Sequence, residues 1–513
     1  MKRNEERENA ILEAQRAPFA AFAAAREAGW RDVMARAAGL RGVAEALSKA
    51  KDEIIAIASK ETALTKEELA PEFRRMVGTL VQFAGVIEEG SWVRPTINVP
   101  EKNESNVIGP NHDVRSMLVP RRGAAVVFGA SNFPLSYGVC GGDTASALAA
   151  GLGVVVKEHP AHPRTGRLIA KVARDALAQA GHNKDVLGYV RESEETAGED
   201  TFEVAHALIL HESVAAIGFT GSTKAGLAID ALARTRGVPI PVFAEMGSTN
   251  PVFVTRAALA ARGAAIANEL GSALLVRVGQ QCTCPGLILI DSLVEMPRFE
   301  EESDPLADQF EEALARVVRG APAREMLSAK VREGFVTQVN KVAGYVPEVE
   351  MIAIGAREEG LRHAPAMLLR TDYSELRSLR FLSEEAFGPS AVVARVDLRR
   401  RSSGEESAVE ELLETMQGQL VACVYAEAAE LEEENSVARR LLARLVDTAG
   451  RVVVNGVPPG VRVSSAMVHG GPYPATNASE TTAVGARALE RWCRPVCYQN
   501  WPRGALPVEL RGK

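Results

Sequence analysis

The chain has 513 residues, of which 46% are hydrophobic, and a formal net charge of −7 at pH 7. This length exceeds what one hydrophobic core usually supports and predicts two or three domains. A modestly acidic chain lacks the basic character needed to bind a phosphate backbone, so we expect no nucleic-acid partner. Six cysteines in so long a chain do not make a disulfide framework and favour a reducing cytoplasmic compartment.

The first residues, Met1 to Glu8, carry charges of both signs and lead into no uninterrupted apolar segment. We therefore expect no signal peptide, no membrane-spanning stretch and no membrane partner. Cys493 and Cys497 are separated by three residues, but no second pair completes a zinc site. We expect no metal.

The order of predicted elements indicates parallel β-sheet structure. Apolar residues at helical spacing over 9–89 predict helices, and the Pro- and Asn-containing residues 92–120 predict extended arms or a hairpin. Strands are then predicted at 124–128, 153–157, 214–219 and 241–244, with helices at 143–150, 165–180 and 224–233. This alternation is typical of βαβ units, whose ligands bind beyond the carboxyl ends of the strands.

A second α/β region begins near Asn250. Its predicted elements are a helix at 259–275 and strands at 286–290, 391–393 and 420–425. The charged segment 395–414 predicts a solvated surface excursion. After Val484, an extended tail containing Trp492, Tyr498 and Trp501 predicts an arm that docks on another surface.

Two motifs supply the groups of a covalent reaction. Gly279–Gly286 places Cys282 on a polar turn between glycines, and Glu245 ends the predicted strand 241–244. A thiol nucleophile and a separate carboxylate base are what a reaction through a thioester requires.

Three further motifs each allow two interpretations. Gly218–Gly226 closes a strand and opens a helix, so it either approaches a phosphate or is only a tight connection. Lys157 ends a strand and either faces the ligand crevice or is a solvated lysine. Asn132 is either an oxyanion donor or a turn residue. His159 and His162 have metal-like spacing, but the prolines near them and the missing third ligand argue against a metal.

Taken together, the motifs resemble the aldehyde dehydrogenase superfamily over about 19–502. Within it, the chain most resembles bacterial 2-oxoglutarate semialdehyde dehydrogenases. A related NADP-dependent long-chain aldehyde dehydrogenase of luminous bacteria shares some of these sequence features. The segments that carry the resemblance are 128–135, 141–148, 159–163, 384–389, 469–476 and 494–500.

The resemblance implies an α/β aldehyde dehydrogenase fold with a Rossmann-like cofactor domain, an α/β catalytic domain and an oligomerisation arm. The implied boundaries are 1–100 and 122–246 for the dinucleotide-binding domain, 247–465 for the catalytic domain, and 101–121 and 485–513 for the arm. It also implies a small aldehyde as substrate and a homodimer or homotetramer.

The resemblance also implies roles for individual residues. Cys282 attacks the aldehyde, Asn132 and the Cys282 backbone N–H hold the oxyanion, and Glu245 activates the water that releases the acid. The implied cofactor-binding residues are Lys157, Gly221, Ser222, Gly226, Glu385 and Phe387. The implied substrate-channel residues are Tyr137 and Cys140, with His469 near the channel mouth.

Four positions depart from the family pattern or stay open. Ser131 replaces the aromatic residue that usually precedes the Asn-Phe-Pro turn, and Thr249 replaces a common lysine. Cys284 either lines the pocket, which we favour, or forms a reversible disulfide. Arg277 either meets a substrate carboxylate or caps a helix end.

Pro160 stands where NAD-preferring relatives commonly have a glutamate. We therefore expect NADP to be preferred, with NAD possible, since a removed repulsion plus a charge-assisted hydrogen bond from Lys157 contributes roughly 1.5–3 kcal/mol. The expected reaction is oxidation of 2-oxoglutarate semialdehyde. The alternatives are a long-chain or broad-specificity aldehyde dehydrogenase and, more remotely, a non-enzymatic dinucleotide-binding paralogue. Glu245 argues against transfer of the acyl group to coenzyme A.

Overall fold

The computed structural model describes residues 2–102, 108–191, 202–294, 303–345, 348–372, 375–376, 384–399 and 408–512. The helices are α1 (Lys2–Ala25), α2 (Ala28–Arg31), α3 (Val33–Lys49), α4 (Lys51–Thr62), α5 (Lys66–Glu89), α6 (Gly142–Ala150), α7 (Pro163–Gln179), α8 (Glu203–Leu210), α9 (Thr223–Arg234), α10 (Arg256–Leu275), α11 (Pro305–Arg319), α12 (Ala329–Ala343), α13 (Ala408–Thr415), α14 (Ala428–Glu432) and α15 (Val437–Thr448).

The strands form one five-stranded, one seven-stranded, one three-stranded and one two-stranded sheet. They are β1 (Thr96–Asn98), β2 (Val114–Pro120), β3 (Ala124–Phe128), β4 (Gly153–Lys157), β5 (Leu187–Val190), β6 (Val214–Thr220), β7 (Val242–Glu245), β8 (Val252–Val254), β9 (Leu287–Asp291), β10 (Arg324–Glu325), β11 (Glu350–Ile354), β12 (His363–Ala364), β13 (Met367–Asp372), β14 (Ser390–Val396), β15 (Gln419–Tyr425), β16 (Ala449–Val454) and β17 (Cys493–Gln499).

The five-stranded sheet is parallel, in the order β5-β4-β3-β6-β7. Its central strands are apolar on both faces because helices cover both sides. Alanines of α1 pack on one face, and α3, α5, α6 and α7 share a core with the other. From β3 the chain adds β4 and β5 on one side, and then returns to add β6 and β7 on the other side. The carboxyl ends of β3 and β6, at this switch of strand order, are therefore where a ligand crevice is expected.

The seven-stranded sheet has the order β11-β13-β14-β9-β8-β15-β16 and is parallel except for the β11-β13 pair. The segments that precede β9 and β14 face the carboxyl ends of the first sheet through contacts described below. A crevice between the two sheets follows from this arrangement.

The three-stranded sheet joins β1, β2 and β17 in antiparallel pairs. The predicted hairpin at 92–120 is present, but β1 pairs within this arm sheet although its residues had been assigned to the cofactor domain. Trp492, in the predicted aromatic tail, docks on its own chain. It is fully buried, packs edge-on against Phe243, and its indole N–H donates to Ser146 Oγ at 2.8 Å.

The predicted surface excursion at 395–414 is wrong at its start. Arg395 is fully buried in β14, where its guanidinium donates to Glu311 and Asp308. The buried carboxylate of Glu311 offsets the cost of burying the Arg395 charge. The pattern of charges along the sequence does not reveal this pairing. Residues 400–407 of this segment lie outside the described residues.

One helix departs from the expectation about membrane-spanning stretches. Residues 256–279 are long and apolar enough to cross a membrane by length and composition. Ile266, Leu270 and Leu274 are buried against α11 and the second sheet, as in the core helix of a globular domain.

Candidate active site

The cysteine loop begins with three successive residues in the left-handed region. Arg277, Val278 and Gly279 have φ values of 54°, 58° and 65°. Positive φ is costly for a β-branched residue such as Val278, so the surrounding structure must hold this turn. At Gly279 a Cβ would collide with the Gly388 carbonyl oxygen.

Two glutamates of α5 hold the strained turn. Glu68 accepts from the backbone N–H of Arg277, and Glu72 pairs with the Arg277 guanidinium. Arg277 also lies over the Phe133 ring, with Cζ 4.4 Å from the centroid. Arg277 therefore neither faces a substrate carboxylate nor caps a helix end, the two roles considered from the sequence.

Glu72 connects the cysteine loop with the Asn132 turn. The same carboxylate accepts from the backbone N–H groups of Leu135 and Ser136 at 2.7 and 2.9 Å. Asn132 is buried, and its side-chain amide donates to the Gln280 carbonyl at 3.1 Å. The structure thus brings Asn132 to the loop that carries Cys282, as an oxyanion donor requires.

Cys282, His469 and Glu245 converge in one buried cluster. Cys282 Sγ lies 3.6 Å from His469 Nε2, and the same nitrogen lies 3.0 Å from Glu245 Oε1. His469 and Glu245 are buried, and Cys282 is half-buried. The expected place of His469 near a channel mouth is wrong, since the imidazole stands between the nucleophile and the carboxylate.

The segment 469–477 reaches this cluster by capping the edge strand β7. Asn477 accepts from Ala244 N–H and donates to the Val242 carbonyl, both at 2.9 Å. Thr476 bridges to Glu245, and Met246 N–H donates to the Ala475 carbonyl. These bonds place His469 on the side of Glu245 that faces Cys282.

The charges around Cys282 oppose its ionisation. Burial, together with the carboxylates of Glu245 and Glu385, raises the pKa of the Cys282 thiol well above its usual value, and Arg75 partly opposes this shift. A nearby base is therefore needed to take the thiol proton.

Asn250 shapes the cysteine loop from the second sheet. With φ at 51°, its amide donates to the carbonyl oxygens of Cys282 and Cys284 at 2.9 and 2.8 Å. Cys284 is a buried free thiol that lines a cavity with Gln281, Glu385 and others. This placement agrees with pocket lining.

Tyr137 and Cys140 lie in different surroundings. The Tyr137 hydroxyl accepts from Arg75 Nη2 at 3.2 Å, and its ring centroid is 6.5 Å from that of His469. Cys140 is buried in the core shared by α5 and α6, where burial raises its pKa to about 12. Cys140 therefore offers no surface to a channel, in contrast to the expectation.

The expected phosphate turn follows β6. Ser222 caps α9 by accepting from Ala225 N–H, and Gly221 N–H donates to the Glu245 carbonyl at 3.1 Å. A Cβ at Gly226 would lie 2.8 Å from Met246 Sδ. Gly221 and Ser222 are exposed at the carboxyl end of the sheet, so an anion can reach the start of α9.

Lys157 ends β4 on the same edge of the sheet and is partly exposed. The next residue, Glu158, has a carboxylate that accepts hydrogen bonds from Arg167 and Tyr189. Glu61 accepts from the backbone N–H groups of Arg164 and Thr165 at the start of α7.

Glu385 and Phe387 approach from the second sheet. They line the cavity beside Cys284, and a Cβ at Gly247 would lie 2.5 Å from Glu385 Oε2. Burial raises the pKa of Glu385 to about 8, although a backbone hydrogen bond from Ser248 lowers it. The glycine at 247 thus leaves room for a carboxyl group at the crevice between the sheets.

Several functional candidates escaped the sequence analysis. Arg75 and Arg451 exert electrostatic effects on Cys282 and Tyr137, and a buried Nε of Arg451 has no hydrogen-bond partner among the described residues. Glu72 and Asn250 hold the two active-site turns. Arginine and glutamate are ordinary on helices, so no local pattern distinguishes Arg75 and Glu72. Asn250 lies close to Glu245 in the sequence, and this proximity is the only sequence feature that indicates its role.

Comparisons with known proteins identify the family. The model of the aldehyde dehydrogenase family matches residues 7–490. The alpha-ketoglutaric semialdehyde dehydrogenase 2 of Azospirillum brasilense is 39% identical over 93% of this chain and 85% of that protein. The alpha-ketoglutaric semialdehyde dehydrogenase of Acinetobacter baylyi is 37% identical over 89% of this chain and 80% of that protein.

Solved structures support the fold alone, because their identities are low. A putative aldehyde dehydrogenase from Burkholderia cenocepacia has a TM-score of 0.73 at 21% identity, covering 95% of this chain and 92% of that chain. A betaine aldehyde dehydrogenase from Staphylococcus aureus has a TM-score of 0.73 at 19% identity, covering 97% and 89%. The α/β fold, the family model and these relatives agree: the chain belongs to the aldehyde dehydrogenase family and is an oxidoreductase that acts on aldehydes.

Proposed function

We propose that the protein oxidises 2-oxoglutarate semialdehyde to 2-oxoglutarate through a thioester on Cys282. The observation that carries the chemistry is the cluster in which His469 Nε2 lies between Cys282 Sγ and Glu245 Oε1. The names of the two relatives at 37–39% identity support the choice of substrate.

Proton movement follows from the geometry of this cluster. His469 Nε2 takes the thiol proton of Cys282, which lets the sulfur attack the aldehyde carbon and form a thiohemiacetal. The amide of Asn132 and the backbone N–H of Cys282 hold the oxyanion. Glu245, directly or through His469, then takes a proton from the water that hydrolyses the thioester.

The crevice fits a nicotinamide cofactor. The start of α9, opened by Gly221 and Ser222, suits a pyrophosphate, and Gly247 leaves space for Glu385 beside it. Glu385 and Phe387 would hold the nicotinamide ribose, and Lys157 the adenosine ribose or its phosphate. When bound, the cofactor accepts the hydride from the substrate carbon.

The positive charges beside Cys282 support an acidic aldehyde over a long-chain one. Arg75 Cζ lies 5.4 Å from the Tyr137 ring centroid, and Arg75 donates to the Tyr137 hydroxyl. Arg451 adds a second positive charge that acts on Cys282 and Tyr137. A substrate carboxylate on Arg75 forms a charge-assisted hydrogen bond of about 1.5–3 kcal/mol. An alkyl chain would make no such bond.

The test of substrate compares kcat/KM for 2-oxoglutarate semialdehyde, succinic semialdehyde and decanal. Arg75→Met should lower the value for the first about 10- to 100-fold and leave decanal nearly unchanged. Arg74→Met, an exposed neighbour on α5, is the matched control. A preference of the wild type for decanal by more than tenfold would replace the proposed substrate with the long-chain alternative.

The test of chemistry uses the three cluster residues. Cys282→Ala should abolish turnover while cofactor still binds, and Cys284→Ala should retain a substantial share. Glu245→Gln should give a burst of reduced cofactor followed by a stall, and His469→Gln should slow the burst itself. Full steady-state turnover in Cys282→Ala would refute the thioester route.

We also propose that NADP is preferred over NAD. Pro160 carries no charge to repel a 2′-phosphate, and Lys157 and the exposed Arg164 are positive. The carboxylate of Glu61, on α4, lies against the start of α7 and opposes these charges, so Glu61→Gln should tighten NADP binding more than NAD binding. Fluorescence titration of both cofactors decides, and tighter NAD binding by the wild type would refute the preference.

We further propose a cytoplasmic homodimer or homotetramer assembled through the arm sheet. Ile97, Val99 and Trp501 are exposed apolar side chains in or beside this sheet. Such side chains favour a partner surface of the same chain. Sedimentation analysis distinguishes the two states, and a monomer at micromolar concentration would contradict both.

A further inference from the structure

The Cys282–His469–Glu245 cluster contains three different metal-binding atoms. A sulfur, an imidazole nitrogen and a carboxylate oxygen all lie within 4.8 Å of one another. Thiolate, imidazole and carboxylate are the three side-chain groups that bind Zn²⁺ in proteins. No other such group of three is found among the residues that the structure describes.

The distances suit a tetrahedral ion. With usual Zn–S and Zn–N lengths, tetrahedral geometry places sulfur and nitrogen about 3.6 Å apart, and nitrogen and oxygen about 3.3 Å apart. The observed separations are 3.6 Å from Cys282 Sγ to His469 Nε2 and 3.0 Å from that nitrogen to Glu245 Oε1. Small rotations of the side chains are enough to bring all three to one centre.

The carboxylate is a second, independent indication. Glu245 is only 4% exposed, and apart from His469 Nε2, 3.0 Å from Oε1, its carboxylate oxygens have no polar partner among the described residues. A buried carboxylate with so little compensation carries a large desolvation cost, which a cation at this position would offset. The half-buried face of Cys282 leaves a fourth position for water and a path for the ion.

We propose that Cys282 Sγ, His469 Nε2 and a Glu245 oxygen bind one Zn²⁺ and thereby inhibit the enzyme reversibly. The thiol proton leaves to solvent as the Zn–S bond forms, and no electron is transferred. Zn²⁺ draws electron density from the bound sulfur, which makes it a poor nucleophile toward the aldehyde, and the metal-bound Glu245 can no longer take a proton from water. Inhibition rests on the proposed function, whereas metal binding itself does not. This site departs from the expectation of no metal.

The experiment titrates chelator-treated, full-length protein with Zn²⁺ in competition with a chromophoric chelator, without substrate. The wild type should bind one ion tightly. Cys282→Ser, His469→Gln and Glu245→Gln should each weaken binding about tenfold or more. Cys284→Ser is the matched control and should bind as the wild type does. Thermal unfolding confirms that each variant is folded.

Co²⁺ provides a spectroscopic readout of the same ligands. A thiolate-to-cobalt charge-transfer band should appear in the wild type and in Cys284→Ser, and be absent in Cys282→Ser. Unchanged Zn²⁺ binding in Cys282→Ser, or its loss in Cys284→Ser, would overturn the site. In the activity assay, Zn²⁺ should inhibit and a chelator should restore turnover. Failure of the proposed function shows as no turnover with chelator present, and leaves the titration unaffected.

Discussion

At the scale of single residues, the two carboxyl groups of the crevice occupy different surroundings. Glu245 lies against His469, whereas Glu385 lies at the cavity edge near Gly247, where the backbone of Ser248 donates to it. Burial therefore raises the pKa of Glu385 to about 8, so that most of this group is protonated at neutral pH. We therefore expect pH to affect cofactor binding through Glu385.

We predict that cofactor affinity increases as pH rises through about 8. The ionised carboxylate accepts charge-assisted hydrogen bonds from ribose hydroxyls, and such bonds are about twice as strong as neutral ones. Glu385→Gln should bind with an affinity that is flat across this range, about fivefold below the wild type at high pH. Glu384→Gln is the control, because Glu384 is exposed and pairs with Lys341. Parallel pH profiles for the wild type and Glu385→Gln would contradict the role assigned to Glu385.

The same pKa shift affects folding with a definite sign. The folded-state pKa of Glu385, about 8, lies above its ordinary value of 4.5, so between these values the unfolded chain has lost a proton that the native protein keeps. The contribution of this group to stability therefore falls as pH rises from about 4.5 to about 8. Glu385→Gln should remove this part of the pH dependence of unfolding.

At the scale of elements, α5 positions the two active-site turns. Glu72 accepts from Leu135 and Ser136 after the Asn132 turn and pairs with Arg277 at the start of the cysteine loop. One buried carboxylate thus ties the segment that follows Asn132 to the start of the loop that carries Cys282. The left-handed residues at 277–279 depend on this anchor, since their backbone energy alone disfavours the turn.

We predict that Glu72→Gln lowers stability and kcat together. Removing one charge of a buried ion pair costs about 3 kcal/mol, measured as a lower urea midpoint. The rate constant for alkylation of Cys282 should change and kcat should fall about tenfold, because a small displacement of reacting groups is costly. The dissociation constant of the cofactor should stay within twofold. Glu68→Gln, which is less buried, should have the smaller effect. If stability fell and kcat did not change, Glu72 would have a structural role only.

The sequence predicted elements better than it predicted contacts. The strands at 124–128 and 153–157 are confirmed to the residue, because both sheet faces are covered and the strands are uniformly apolar. Cys282 and Glu245 could be proposed from the sequence because each lies in a short motif that is recognisable without knowledge of distant contacts. His469 was placed wrongly because its position depends on Asn477 capping β7, a contact between residues more than 200 positions apart. Arg395 was misplaced for the same reason, since its partners lie on α11.

At the scale of the whole molecule, the active site exists only between the two large sheets. The carboxyl ends of β3, β6 and β7 supply the Asn132 turn, the Ser222 turn and Glu245. The segments before β9 and β14 supply Cys282 and Glu385. We therefore expect cofactor binding to depend on how closely the two sheets approach, and Gly247 after β7 is one point of close approach, beside Glu385.

We predict that Gly247→Ala separates cofactor binding from thiol chemistry. Its new Cβ would lie 2.5 Å from Glu385 Oε2 and 3.4 Å from Thr223 Oγ1, so the Glu385 carboxyl must move away from the ribose position. Cofactor affinity should fall about tenfold, roughly the value of one charge-assisted hydrogen bond. Hydrolysis of an activated aryl ester without cofactor needs Cys282 and Glu245 but not Glu385, and should stay within twofold. Gly237→Ala is the matched control because a Cβ there meets no atom within 4 Å. If both activities of Gly247→Ala fell in parallel, the glycine would serve general packing between the sheets, and the assignment of Glu385 to the cofactor would lose its structural support.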